Sequence, residues 1–128
     1  MKLLLDTHVF IWWDSEPEKL SDRAFELFQA PENQLILSVA SLWEIQIKSQ
    51  LGKIKFNIPL AKLVEGQQNS NGLSLMPVNA SHVYALGNLP SIHKDPFDRM
   101  IVAQARVESL CLISHDTILK KYPVDIMW

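Results

Sequence analysis

Lys2-Leu3-Leu4-Leu5-Asp6-Thr7-His8, followed at once by the apolar run Val9–Trp13, is the stretch on which the reading of the fold turns. Leu3–Leu5 shows no polar alternation, the mark of a short strand covered on both faces. It stops at an acid, and a helical stretch begins at Val9 and is interrupted by Pro17. A buried strand passing directly into a helix is the opening of a βα unit.

Working outward, the same alternation recurs. Ser21 precedes a helix whose apolar stripe is Ala24, Phe25, Leu27 and Phe28. After a turn at Pro31–Asn33, Leu35–Val39 reads as a second buried strand. Ser41–Leu51 is the next helix, with Leu42, Trp43, Ile45 and Ile47 as core candidates and Gly52 placed to end it. Pro59 starts a helix reaching about Gln68, Asn71-Gly72 turns, and Leu73–Val78 is a third strand. Asn79 caps a helix to about Asn88, and Leu89–Lys94 is a loop. Asp95-Pro96 opens the helix Phe97–Ser109, with proline where its missing N–H costs nothing. Leu110–Ser114 is a fourth strand, Thr117–Tyr122 a short helix and Val124–Met127 a fifth strand. The pattern predicts a three-layer α/β/α sandwich around a central parallel sheet of four to five strands, with right-handed crossovers, as a single domain over residues 1–128.

The 128 residues, 48% hydrophobic and 20% charged, suit one globular domain with its own core. No apolar run approaches the ~18–20 residues that cross a bilayer, so no membrane association is expected. Asp6 interrupts the apolar run after Lys2, which argues against a leader segment. The lone Cys111 has no partner for an internal disulfide and lies in an apolar strand, so a reducing, cytoplasmic setting is expected and an inert thiol. The formal net charge is −2, and four acids assigned below to one site outweigh it. The remainder of the chain is therefore net positive, and an anionic substrate is compatible with it.

In open parallel sheets ligands bind beyond the carboxyl ends of the strands. Asp6 follows the first strand, Glu44 lies early in the helix after the second, Asp98 lies in the first turn of the helix beginning at Pro96, and Asp116 follows the fourth strand. All four are expected on one rim. Two unit negative charges ~5 Å apart repel by about 3 kcal/mol at an effective dielectric of ~20. A divalent cation relieves that repulsion. An all-oxygen ligand set suits Mg²⁺ or Mn²⁺, which can also bind a phosphate and activate a nucleophile.

Each acid has a plainer reading beside this one. Ser41-Leu42-Trp43-Glu44 fits a capping box. Asp95 is a good N-cap, Asp98 complements the helix dipole, and Asp116 suits the cap of its own short helix. Asp6, between an apolar strand and an apolar helix, has little structural use as a charge. His93 reads as a surface loop group, His82 as structural, and His8 and His115 as neighbours of rim acids within reach of a phosphate. Trp12, Trp13, Trp43 and Phe10 are expected in the core or at an interface. Lys48, Lys53, Lys55, Lys94, Arg99, Lys120 and Lys121 would attract a polyanion or simply form a solvated face. No HExxH, GxSxG, GxGxxG or phosphate-loop motif is present, so side-chain nucleophilic catalysis has no support.

Four blocks together carry a resemblance: Leu3-Leu4-Leu5-Asp6-Thr7-His8, Ser38-Val39-Ala40-Ser41-Leu42-Trp43-Glu44-Ile45, His93-Lys94-Asp95-Pro96-Phe97-Asp98-Arg99, and Leu112-Ile113-Ser114-His115-Asp116. In order, and over essentially the whole chain, they resemble the PIN-domain family, and within it the VapC-type toxins of type II toxin–antitoxin pairs. The resemblance implies a Mg²⁺- or Mn²⁺-dependent endoribonuclease that hydrolyses RNA and leaves a 5′-phosphate. Carried over by position, Asp6 and Asp98 are the direct metal ligands, and Glu44 and Asp116 complete the catalytic cluster by holding a second metal or orienting water. Asp95 either joins them or only caps the helix. The same resemblance implies a small cognate antitoxin that inserts a basic peptide into the acidic groove, and a homodimer formed through the early helices. Two other readings fit a small acidic-rimmed α/β fold. A receiver-like phosphoacceptor domain would want an Asp after its third strand and a Lys after its fifth, where this chain has Asn79 and Met127-Trp128. A non-catalytic RNA- or protein-binding module would keep the fold without needing all four acids.

Overall fold

In the computed structural model, which describes all 128 residues, Leu3–Leu5 belongs to β1 (Lys2–Leu5), the middle strand of a five-stranded sheet. β2 (Gln34–Ser38) and β4 (Cys111–Ile113) flank it. β3 (Ser74–Met76) lies outside β2 and β5 (Ile126–Met127) outside β4, so the order is β3-β2-β1-β4-β5. Every pairing is parallel, with Leu3 opposite Leu35 on one side and Cys111 on the other. The expected sheet is present with all five strands.

Alternate side chains of β1 serve opposite faces, as strand geometry requires. Leu3 and Leu5 pack with Val9 and Phe10 of α1 (Thr7–Ser15), Ala24 and Phe28 of α2 (Asp22–Gln29), Ile45 of α3 (Val39–Gln50) and Leu63 and Val64 of α4 (Leu60–Asn71). Leu4 and Ile36 point the other way, to Ile101, Val102 and Ala105 of α6 (Pro96–Val107). α5 (Ala80–Ala85) packs on α6. Two separate hydrophobic clusters, one per sheet face, make the three layers. No helix is long and apolar enough to cross a membrane.

Element ends follow cap chemistry. α1 starts at Thr7, directly after Asp6, two residues before the expected Val9. β2 ends at Ser38 and α3 starts at Val39, because the Ser38 hydroxyl accepts the Ala40 N–H at 3.0 Å. That corrects the reading of Ser41 as N-cap and removes the capping box: Glu44 sits in the second turn, its carboxylate free of the helix start. β3 is shorter than Leu73–Val78, since Pro77 has no N–H to continue the ladder. Asp95 does cap α6, its Oδ1 accepting from Phe97 N at 2.9 Å and Asp98 N at 3.1 Å. Gly72 ends α4 in the left-handed region (φ 67°), where its N–H reaches Gln68 O. The expected short helix after β4 is a single 3₁₀ turn, Leu119–Lys121, next to which Tyr122 is buried.

From β1 the chain steps outward to β2 and β3, then returns to place β4 and β5 on the other side of β1. The order therefore reverses between β1 and β4. Connections diverge at such a point and leave a crevice at the carboxyl edge.

Candidate active site

That crevice begins with Asp6. Its backbone N–H extends the ladder by donating to Ile113 O at 3.0 Å, and its carbonyl accepts the Phe10 N–H of α1. The side chain does not cap the helix. It turns inward instead, 4% exposed, with Oδ2 accepting from the Ser114 hydroxyl at 2.6 Å. Ser114 is fully buried and also accepts the Asp116 N–H at 3.0 Å. One hydroxyl thus ties the ends of β1 and β4 together and points Asp116 toward the same crevice. Asp6 Oδ1 has no hydrogen-bond partner.

α3 brings Glu44 to the rim. Its first turns are held to α1 by a buried bond from the Thr7 hydroxyl to Ser41 Oγ at 2.9 Å. Glu44 is 4% exposed; Oε2 accepts from Lys48 Nζ at 2.8 Å, one helical turn on, and Oε1 is buried without a partner. Lys48, expected to face a polyanion, is engaged with this carboxylate.

Asp98 comes from the first turn of α6. His93 Nε2 lies 3.1 Å from its Oδ2, and His93 Nδ1 lies 2.6 Å from the Tyr122 hydroxyl. This corrects the reading of His93 as a surface group: its side chain is largely covered. Asp95 is committed to its capping bonds, yet its charge still acts on Asp98.

Asp116 stands at the margin. Its Oδ1 accepts the Ile118 N–H at 2.9 Å in a local turn ahead of the 3₁₀ segment, whose N-cap is Ile118 and not Asp116. It shares with Asp6 a cleft of about 350 Å³ that is also lined by His8, Trp12, His115 and Thr117. Trp12 meets His115 edge-on at 6.0 Å and Trp128 at 5.9 Å, and those two rings meet each other at 5.3 Å. Beyond Glu44 and Asp98 lies an apolar groove of about 440 Å³ that includes Trp43, Phe97, Val78 and Met100. Trp43 meets Phe97 edge-on at 5.3 Å but stays 64% exposed, so it serves this surface and not the core.

Burial pushes the Asp6 carboxyl above its ordinary range; the Ser114 bond and His8 pull it back, and Glu44 raises it further. Asp98 is pushed up to about 6, first by desolvation, against the lowering effect of His93 and with added repulsion from Asp6, Asp95 and Glu44. Asp6, Glu44 and Asp98 are therefore close enough to feel one another, with Lys48 the cation bonded to this group of acids. Two buried carboxylate oxygens lack a partner, a costly state unless something positive faces them. Oxygen donors only, with spare charge, fit a hard divalent cation. As the side chains stand, no three acids, histidines or cysteines close into a ready-made cage.

The structure thus brings Asp6, Glu44 and Asp98 together, links Asp116 to Asp6 through Ser114, and uses Asp95 as a cap. Sequence reading missed Ser114, Tyr122 and the role of His93. For the first and last, the signal was adjacency: Ser114 ends the strand before Asp116, and His93 stands five residues before Asp98. His82 is structural as expected, buried with Nδ1 accepting from Asn79 N and Nε2 facing Glu108.

The PIN domain family model matches residues 3–125. Ribonuclease VapC22 of Mycobacterium tuberculosis is 29% identical over 121 residues, covering 94% of this chain and 91% of that protein. VapBC2 from Rickettsia felis, crystallised with a DNA fragment from their promoter, superposes with a TM-score of 0.76 at 18% identity, covering 99% of this chain and 98% of that one. DNA-bound VapBC from Salmonella typhimurium gives a TM-score of 0.69 at 16% identity over 99% and 97% of the two chains.

Proposed function

The chain belongs to the PIN-domain family, and from that premise we propose that it is a metal-dependent endoribonuclease, the toxin of a type II toxin–antitoxin pair. The observation that carries the reading is the pair of buried, partnerless carboxylate oxygens, Asp6 Oδ1 and Glu44 Oε1, at the carboxyl edge beside Asp98. Similarity to a protein named a ribonuclease supports the reaction, and the likeness to VapBC assemblies supports an antitoxin partner.

Asp6 and Asp98 would hold Mg²⁺ or Mn²⁺. When bound, the cation stabilises charge on the phosphoryl oxygens and acidifies a water. Ser114 holds Asp6 by one oxygen and leaves the other without a partner, available to a cation. Glu44, steadied by Lys48, offers its free Oε1 to orient the attacking water and accept its proton. Asp116, tied through Ser114, stands at the margin to receive the same proton or a second cation. The RNA 2′-hydroxyl is not needed as nucleophile, and the family resemblance implies products with 5′-phosphate and 3′-hydroxyl ends.

The receiver-like reading falls. Its strand order is 2-1-3-4-5, whereas here β4 neighbours β1, and no acid follows β3 before Asn79. For the antitoxin, a peptide with Arg or Lys for the acids and apolar side chains for the adjoining Trp43–Phe97 groove fits the chemistry of both surfaces. A homodimer through the early helices and a cytoplasmic setting complete the proposal.

Cleavage of total cellular RNA, with ends mapped, tests it. Wild type should cut in Mg²⁺ or Mn²⁺ and stop in EDTA, and Asp6→Asn should lose at least about 100-fold in rate with an unchanged circular dichroism spectrum. A second reading has one observation behind it: His8 and His115 line the same cleft as Asp6. Cleavage that survives EDTA and leaves cyclic phosphate ends would favour that histidine pair and reject the metal.

A further inference from the structure

Three residues outside the acidic cluster stand in line behind Asp98. An Arg99 guanidinium nitrogen lies 3.2 Å from the Tyr122 hydroxyl, that hydroxyl lies 2.6 Å from His93 Nδ1, and His93 Nε2 lies 3.1 Å from Asp98 Oδ2. The guanidinium is fixed from behind by the carbonyls of Pro90, at 2.9 Å, and Leu86, at 3.4 Å. Tyr122 is buried among Leu4, Ile101 and Leu119.

The chemistry of the two ends gives the line a direction. Arginine only donates, so the Tyr122 oxygen accepts from it and its own hydrogen is free to donate to His93 Nδ1. An ionised carboxylate only accepts, so His93 presents a hydrogen on Nε2. One arrangement of a neutral imidazole meets both ends: Nδ1 accepting and Nε2–H donating. Packing alone explains the Tyr122 ring but gives no reason for a hydroxyl at 2.6 Å from a ring nitrogen.

We propose that Arg99 and Tyr122 form a one-way hydrogen-bond relay that locks His93 in its Nε2–H tautomer, making His93 the positioning residue that aims Asp98 at the cation. The relay occupies Oδ2 of Asp98 and leaves Oδ1 for the ion. It rests on the reading of Asp98 as a metal ligand. Partners of this kind, hydrogen-bonded to a ligating side chain, set metal affinity by about 10–100-fold when removed.

Two readouts test the relay. Long-range ¹H–¹⁵N NMR of the histidine side chains in the metal-free protein should show His93 as a single Nε2–H tautomer, and Tyr122→Phe should turn it into a mixture. Mn²⁺ titration should show Tyr122→Phe binding about 10–100-fold more weakly, with RNA cleavage recovering at saturating Mn²⁺. Placed in a His93→Leu background, Tyr122→Phe should add no further loss, because its effect passes through the imidazole. A His93 that carries its hydrogen on Nδ1, an unchanged Mn²⁺ affinity in Tyr122→Phe, or an equal loss with His93 absent each overturns the relay. Asp98→Asn is titrated alongside. Wild-type affinity there rejects Asp98 as a ligand and the relay with it. Loss there without an effect of Tyr122→Phe rejects the relay and keeps the metal site.

Discussion

Asp98 illustrates what a residue's surroundings add to its identity. Any carboxylate in the first turn of a helix gains from the dipole, yet this one is held at about 6 because burial and three neighbouring acids outweigh that gain and the His93 bond. The sign of the consequence is fixed. A folded-state pKa raised above the ordinary 3.8 means that the native state holds its proton more tightly than the unfolded chain. The stability this supplies is complete below about pH 3.8 and is lost as pH rises through about 6. Asp98→Asn should therefore raise the melting temperature of the metal-free protein at pH 7.5, by roughly 3 °C for each kcal/mol relieved. The gain should shrink toward zero near pH 4.5 and reverse in saturating Mn²⁺, which stabilises only the wild type. Equal metal-free melting temperatures at pH 7.5 would contradict the strained acid described above. At this scale Asp6 stood out singly, because a charge between an apolar strand and an apolar helix has few other uses, whereas Glu44, Asp98 and Asp116 stood out only through their joint placement on one rim. Tyr122 was not legible: a hydroxyl 2.6 Å from the ring of a histidine 29 residues away leaves no local pattern.

Among the elements, α3 shows how a boundary positions a rim carboxylate. On sequence, Ser41 with Glu44 fits the rule for a capping box at the start of this helix. Ser38 takes the role because β2 ends there and its hydroxyl reaches Ala40 N–H. The choice frees Glu44 for the rim and turns Ser41 inward to bond Thr7. Local rules identified the helix but could not choose between caps, since the choice depends on where the neighbouring strand stops pairing: Ser38 is the last β2 residue matched to β3, opposite Met76. Ser38→Ala should cost about 1 kcal/mol, seen as a melting temperature lower by about 3–4 °C. Cleavage below the transition should fall only a few-fold, because burial of Ala40 and Ile45 still holds the helix on the sheet. A loss as large as that of Asp6→Asn would assign Ser38 to the site itself. α6 needed no such correction, since Asp95-Pro96 combines a good cap with a proline at the first helical position, two signals that agree.

At the scale of the whole molecule, the layers were legible from the alternation of apolar runs with amphipathic stretches, but the strand order was not. Short apolar strands such as Leu35–Leu37 and Leu112–Ile113 carry no mark of which neighbour they choose. The order β3-β2-β1-β4-β5 is what puts Asp6 and Ser114 side by side at the one reversal of the sheet. It also divides the protein into two ends of different character. At the carboxyl edge, β1, β4, α3 and α6 each contribute charge or a partner to one crevice and repel one another there. At the amino edge, the Met1 amino group on Asn33 and the Gln34–Ser74 bond join neutral or complementary groups. A divalent cation should therefore tighten the molecule unevenly, since it binds only the native state and contacts only one edge. Hydrogen–deuterium exchange with and without Mg²⁺ should show added protection in residues 5–9, 38–46, 93–100 and 112–118, and none in residues 29–34 or 68–74. Among amides that exchange by local opening, added protection as large in residues 29–34 and 68–74 as at the carboxyl edge would remove the physical basis for placing catalysis at the reversal between β1 and β4.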